Sequence, residues 1–438
     1  MLVISIVLLI SGVAVHPSGL FASTNSEKAP TINAALSNQI SYPRTLFLDP
    51  LLLSKAKQAV KHDNNSVLQE ALTRVLSDAN HFLTKKPTSV VDKPQLPPSG
   101  NKHDFLSQTP YRWRNPNTPN GLPYIFRDGK YNPEANSIPD KRNMDDMVYM
   151  VKTLSLAYYF TDDAKYAAKA AELLRVWFLN NDTYMNPNFD YSEITPGIDK
   201  LNPSGIMAGS YLTNIIDAVG LIQNSLFWAK KDQHGIELWF SKYHNWLLNS
   251  DVAKEERQKI NNHGTYYDVQ VSSIALFLNK TAIAKSVLNA ATNELTPASF
   301  VSTPKAIAVK IQPDGRQPFE LARANSLDYS MFNLVGLFNL ATMGEYIGID
   351  LWNYKTPEGA GLQKALDYLL PYAIKNKSWP YSQAERIRTE NLANLLCQAS
   401  IHYPSNQTYI EAFNSINKTE VPINIDNYAI CIDSTVVK

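Results

Sequence analysis

The chain has 438 residues, 44% of them hydrophobic and 18% charged, and 41 basic side chains against 40 acidic ones leave a formal charge of +1. That composition excludes a disordered chain, which could not bury a core, and offers no global basicity to attract nucleic acid. Two cysteines, Cys397 and Cys431, are too few for a disulfide-dense scaffold or a four-thiolate zinc site.

Residues 2–15 form an almost unbroken apolar run. It is shorter than the roughly 20 residues of a membrane-spanning helix and suits the core of an export signal. No Lys or Arg precedes it, and cleavage fits either after Ala14 or near Ala22 and Ser23. Residues 1–22 therefore read as a signal peptide and 23–49 as a linker. The expected compartment is secreted or periplasmic, with no stable membrane insertion after cleavage. Leu52, Ala56, Val60, Leu68, Leu72 and Val75 stand near helical spacing and predict a helix over 50–83. Residues 85–100, rich in Pro, Ser and Lys, read as extended loop. Residues 109–139 are dense in Pro, Asn, Gly and aromatics, and an ordered loop of that length is more often functional than connecting.

From Asp145 the pattern turns helical. Met147, Val151, Leu154 and Tyr158 recur at three and four, Thr161-Asp162-Asp163 interrupts with capping side chains, and Tyr166, Ala170, Leu173 and Trp177 start a second helix. Helices joined by so short a turn are antiparallel neighbours. Further helices are expected over 211–228, 235–248, 268–278, 281–294, 326–346, 361–373 and 385–399. One short strand is expected over 306–312, ended by the turn Pro313-Asp314-Gly315. The fold class is all-α: helical hairpins in series over 50–400, followed by a tail over 401–438. Periodicity leaves a solenoid, an irregular bundle and a closed α/α toroid open.

Two segments concentrate chemistry. Asn261-Asn262-His263-Gly264-Thr265-Tyr266-Tyr267-Asp268-Val269-Gln270 packs amide, imidazole, phenol and carboxylate groups at the mouth of an expected helix. His263 sits beside two amides and a glycine rather than on an apolar stripe, a setting suited to acid–base work. Asp314-Gly315-Arg316-Gln317-Pro318-Phe319-Glu320-Leu321-Ala322-Arg323, followed by Tyr329, precedes a long helix. An Arg fork binds a carboxylate in a bidentate manner that Lys cannot match.

These blocks resemble the alginate lyase superfamily of polysaccharide lyases. Gly121-Leu122-Pro123-Tyr124-Ile125 with Arg127-Asp128-Gly129 adds to the likeness, as do Met185-Asn186-Pro187-Asn188, Ala157-Tyr158-Tyr159-Phe160-Thr161 and Asp350-Leu351-Trp352. The similarity runs in order over about residues 104–372 and is greatest to the polyuronate lyases with a full Asn-Asn-His-Gly block. It implies an α/α toroid (an incomplete or closed α/α barrel) and metal-independent β-elimination of a uronic-acid polymer, alginate, polymannuronate or glucuronan, giving 4,5-unsaturated products. No cofactor is implied, and the partner is an acidic polysaccharide.

Carried over residue by residue, the resemblance makes Asn262, His263, Arg323 and Tyr329 the catalytic set. The amide, with Arg or His, neutralises the uronate carboxylate; Tyr protonates the leaving oxygen; Tyr or His removes the C5 proton. Charge then delocalises toward an enolate that hydrogen-bond donors stabilise. A tyrosine doing both jobs would have to start as phenolate, which needs a depressed phenol pKa.

The loop Tyr111-Arg112-Trp113-Arg114 departs from the family pattern. Tyr111 and Trp113 are candidate sugar-stacking residues, with Arg112 and Arg114 as carboxylate partners; Tyr124, Tyr266, Arg316, Gln317 and Glu320 complete the expected substrate-binding set. Arg112, Arg114, Arg127, Arg316 and Arg323 should then make a locally basic cleft. Competing readings are a glycoside hydrolase using Asp268 and Glu320, which needs two carboxylates roughly 5–9.5 Å apart, and a non-catalytic polysaccharide-binding protein.

Overall fold

The computed structural model describes residues 42–62, 66–292 and 307–417. The expected signal peptide and Cys431 lie outside them. The helices are α1 (Pro50–His62), α2 (Ser66–Leu83), α3 (Asp140–Thr161), α4 (Ala164–Leu174), α5 (Thr213–Ile222), α6 (Lys230–Asn249), α7 (Asp251–Arg257) and α8 (Asn262–Phe277). They continue with α9 (Thr281–Ala291), α10 (Ile307–Lys310), α11 (Pro318–Leu321), α12 (Ser326–Glu345), α13 (Leu362–Ala373), α14 (Thr389–His402) and α15 (Thr408–Asn417).

The helical hairpins form an α/α toroid. In α8 only His263 and Leu276 are not fully buried, and α5 and α12 are nearly as enclosed. A helix buried on every side belongs to the interior. Around this inner set, α3 packs on α2, α4 and α5; α8 packs on α5, α6, α9 and α12; and α12 packs on α13 and α14. One apolar core lies in the N-terminal half and a second in the C-terminal half. The apolar stretch Pro203–Ile222, long enough to cross a membrane, is 83% buried in the first of these halves.

The α3–α4 turn forms as the capping residues predict. Asp162 ends α3 in the left-handed region (φ 59°), and the Asp163 carboxylate accepts the Lys165 N–H to begin α4. Elsewhere the structure corrects the expectations. Of the strand expected over 306–312, the described residues 307–312 are not a strand: the buried residues are Ile307, Lys310 and Ile311, at helical spacing, and Ile311 N donates to Ile307 O at 2.8 Å. The segment expected as a helix over 50–83 is helical over Pro50–His62 and Ser66–Leu83, the residues described there. Residues 42–49, expected as linker, are docked, with the N–H groups of Leu46, Phe47 and Leu48 donating to the buried Asp217 carboxylate. The helix expected from 268 begins at Asn262, because its first two turns bury polar side chains held by hydrogen bonds rather than an apolar stripe.

Strands occur where none was expected. β1 (Leu106–Gln108) pairs parallel with β4 (Tyr191–Ile194), and β2 (Arg112–Trp113) pairs antiparallel with β3 (Ile125–Phe126). The second pair turns the aromatic loop into a ribbon at the edge of the site.

Candidate active site

Two inner helices, α8 and α12, carry His263 and Tyr329 in their first turns. Their N-termini bring positive partial charge, which favours an anion. The first turn of α8 is set deep by Gly264: a Cβ there would lie 1.8 Å from the Lys259 carbonyl oxygen. Gly336 lets α12 close on it, since a Cβ at that position would meet Thr265 Cγ2 at 2.8 Å.

Asn262 is 1% exposed, and its backbone N and Nδ2 both donate to Glu320, each at 2.6 Å. One Nδ2 hydrogen therefore remains for a ligand. His263 Nδ1 lies 2.5 Å from Oε1 of Glu256, a carboxylate 1% exposed on α7. Burial pulls the imidazole pKa down, but Glu256, aided by Glu193, outweighs it and holds the group above its ordinary value. With Nδ1 committed to Glu256, Nε2 is the nitrogen left for chemistry.

Arg323 forms a fork on Asp128, Nε to Oδ2 at 3.1 Å and Nη2 to Oδ1 at 2.8 Å, while Ala324 N adds a third bond to Oδ2 at 3.0 Å. Burial would raise the Asp128 carboxyl, yet these donors hold it below the usual carboxylate value. Nη1 of Arg323 stays available. The guanidinium carbon lies 3.8 Å from the centre of the Tyr329 ring. The Tyr329 hydroxyl faces the Tyr111 hydroxyl at 3.4 Å, which brings the ribbon residue Tyr111 to the reacting groups. Burial pushes the Tyr329 phenol well above its ordinary value, with Arg323 opposing. That direction favours the neutral phenol over the phenolate in the free protein.

The other expected binding residues divide by burial. Tyr124 donates to Glu134 at 2.5 Å and is buried. Tyr266 stacks on Phe332 with ring centres 4.2 Å apart and donates to its carbonyl. Gln317 is buried between Ser330 O and Asn333. These three and Glu320 stand behind the surface as supports. Trp113 donates to Lys130 O at 2.9 Å and lies under the Arg127 guanidinium, which packs it into the ribbon.

The arginines do not make a bare basic cleft. Arg114 pairs with Glu134, Arg316 with Asp314 and Arg323 with Asp128. Arg112 lies over the Phe126 ring, and Arg316 also interacts with Tyr381. Both Glu320 oxygens are occupied by Asn262 and Asp268 is buried, an arrangement unlike two carboxylates flanking a scissile bond. Among the described residues no cluster of three His, Cys, Asp or Glu is placed to hold a metal ion.

Sequence reasoning missed the groups that hold the site. Asp128 lies in the block Arg127-Asp128-Gly129, where its residue type alone does not mark it as the partner of Arg323, and Glu256 sits on the short helix α7. Glu193, on β4, has φ 53°, unusual for a non-glycine residue. Burial pushes its carboxyl up to about 7, with His263 and Lys141 opposing and Glu256 reinforcing. The Lys141 ammonium in turn lies 4.9 Å from the centre of the Tyr211 ring, beside the same cleft.

A family model described as alginate lyase matches residues 89–379. The chain belongs to the alginate lyase family. An alginate lyase from Bacteroides ovatus, known from its crystal structure, is 33% identical with a TM-score of 0.81; the alignment covers 89% of this chain and 99% of that one. Alginate lyase A1-III from Sphingomonas species A1 is 13% identical with a TM-score of 0.52, covering 84% of this chain and 92% of that one, a likeness of fold. No curated protein matches the chain. This alginate lyase family member is a polysaccharide lyase, and its substrate class is an acidic polysaccharide.

Proposed function

We propose that the enzyme cleaves alginate or a related polyuronate by β-elimination, with His263 as the base and Tyr329 as the acid. The observation that carries this division is the contrast between two partly buried groups: an imidazole with one nitrogen fixed on Glu256, and a phenol whose pKa desolvation pushes up.

The substrate carboxylate is received by the spare Nδ2 hydrogen of Asn262 and by Nη1 of Arg323. Those donors, with the two helix N-termini, stabilise charge as it moves from C5 toward the carboxylate. His263 Nε2 takes the C5 proton, and the resulting imidazolium is balanced by Glu256. The electron pair of the C5–H bond forms the C4–C5 double bond, the C4–O4 bond breaks, and the Tyr329 hydroxyl gives its proton to the departing O4. Tyr111, beside Tyr329, faces the sugar on the leaving side. No water is consumed, so one new chain end is unsaturated.

The alginate assignment is supported by the family and by the names of both relatives. Incubation with alginate, polymannuronate, polyguluronate and glucuronan, following near-ultraviolet absorbance of unsaturated ends, tests it. Turnover of at least one is expected; silence on all four overturns the reading. We place the enzyme outside the cytoplasm on the strength of the apolar run over 2–15, and N-terminal sequencing of the exported protein checks that: an uncut Met1 would contradict it.

A further inference from the structure

The segment joining Arg323 to Tyr329 is secured residue by residue by a strap, residues 379–388, nearly all of which lies beyond the part of the chain that the family model matches. Ala324 O accepts from Ala384 N at 3.1 Å and from Ser382 Oγ at 3.0 Å. Asn325 Oδ1 accepts from Ala384 N and Glu385 N, each at 3.0 Å. Ser326 donates from N and Oγ to Ser382 O at 3.0 and 2.6 Å, and its Oγ accepts from Trp379 Nε1 at 2.8 Å. Leu327 N donates to Gln383 Oε1 at 3.1 Å. The Asp328 carboxylate accepts from Gln383 Nε2 at 2.9 Å and Arg388 N at 2.8 Å.

The physical need is clear from α12 itself. The first N–H groups of a helix have no partner within it, and the preceding residue usually supplies a side-chain acceptor. Asn325 makes no such cap; its amide oxygen is turned to the strap. Ser382 O and Gln383 Oε1 replace the cap from outside the helix. Gln383 joins two functions in one neutral amide, accepting at Leu327 and donating at Asp328. Tyr329 stands on the next residue, and Arg323 is clamped to Asp128 at the other end of the segment.

We propose that the strap, acting through Gln383, is the positioning element that fixes Arg323 and Tyr329 relative to one another for the elimination. This rests on the roles given to those two residues above. Gln383 touches neither substrate nor the reacting atoms and is a positioning residue.

Gln383→Glu keeps the shape and places an oxygen where Asp328 needs a donor. Above neutral pH it should lower kcat by about tenfold or more with KM within about twofold, as displacement of a reacting group does. Adding Asp328→Asn restores a donor–acceptor pair and should return kcat to within about threefold of wild type. Hydrogen exchange at the amides of Ser326 and Leu327 should quicken in Gln383→Glu and slow again in the double variant, a readout that needs no substrate. Gln383→Met, neutral and similar in length, serves if the charged variant fails to fold, and should also lower kcat selectively. A wild type silent on every polyuronate would remove the functional reading while leaving the exchange result standing. An active wild type with unchanged kcat in Gln383→Glu and Gln383→Met, or a double variant as slow as Gln383→Glu, overturns the positioning proposal.

Discussion

The Arg323 guanidinium stacks on the Tyr329 ring at 3.8 Å while Asp128 occupies its Nε and Nη2. The arginine is thereby held in one plane, with Nη1 as its outward edge. A planar fork can bind a carboxylate on each side, and a lysine ammonium cannot. The same stacking places the acid of the proposed reaction against the cation that receives the substrate, so the positions of the two are coupled.

Tyr329→Phe removes the proposed acid and little else, since the hydroxyl's partner, Tyr111, is at 3.4 Å, too far for a strong bond. We expect kcat to fall by about 10²–10⁴ with KM nearly unchanged. Steady-state kinetics together with a melting curve checks this; near-normal kcat refutes the acid role.

Asp128→Asn keeps an acceptor for Ala324 N but breaks the charged fork on Arg323. The side chain should then swing, lowering kcat/KM by roughly 10–100-fold. Arg323→Lys should do similar damage, because a point charge cannot serve Asp128 and the substrate together. Kinetics of the two single variants is the test, and activity within twofold of wild type would contradict it.

Gly264→Ala forces a methyl group to 1.8 Å from the Lys259 carbonyl oxygen, and backbone has to move. Overpacking of this kind costs about 1–3 kcal/mol and sometimes more. Denaturant unfolding should show a loss near or above the upper figure, with activity lost as the first turn of α8 shifts.

Away from the site, Lys93 and Asp140 form an ion pair at 2.9 Å with both side chains fully buried, and Asp140 also accepts Leu106 N at 2.9 Å, tying β1 to α3. Burial pushes the Asp140 carboxyl up to about 6 and the Lys93 ammonium down. Lys93→Ala leaves the buried carboxylate without its counter-charge and should cost about 3–5 kcal/mol. Equilibrium unfolding reads it, and a change below about 1 kcal/mol would contradict the pair's importance.

Helix α3 was legible in the sequence, because Met147, Val151, Leu154 and Tyr158 recur at three and four. The family blocks also singled out Asn262, His263, Arg323 and Tyr329, of which the structure places Arg323 against the Tyr329 ring. What escaped depends on distance along the chain. Glu256 reaches His263 from a seven-residue helix with too few turns to show a period, and strands of two to four residues carry no alternation to recognise. Tyr124, Tyr266, Gln317 and Glu320 have the side chains of binding residues, and only burial reveals that they support the site from behind. The strap could not be inferred at all, since backbone groups make much of its contact with residues 324–328. Local basicity was overestimated because Asp128, Glu134 and Asp314 neutralise arginines that composition counts as free.

The division of labour between His263 and Tyr329 is tested most directly by the pH dependence of kcat/KM in wild type and Glu256→Gln. His263 is held above its ordinary value, near 6.5. Its pairing with Glu256 therefore stabilises the fold fully below about pH 6.5, and that contribution is lost as pH rises through the raised folded value. A base must be neutral to act, so kcat/KM should climb through that same raised value, and Glu256→Gln should move the rising limb to lower pH. A profile that falls as His263 deprotonates, or a limb that stays in place in Glu256→Gln, would contradict His263 as the base.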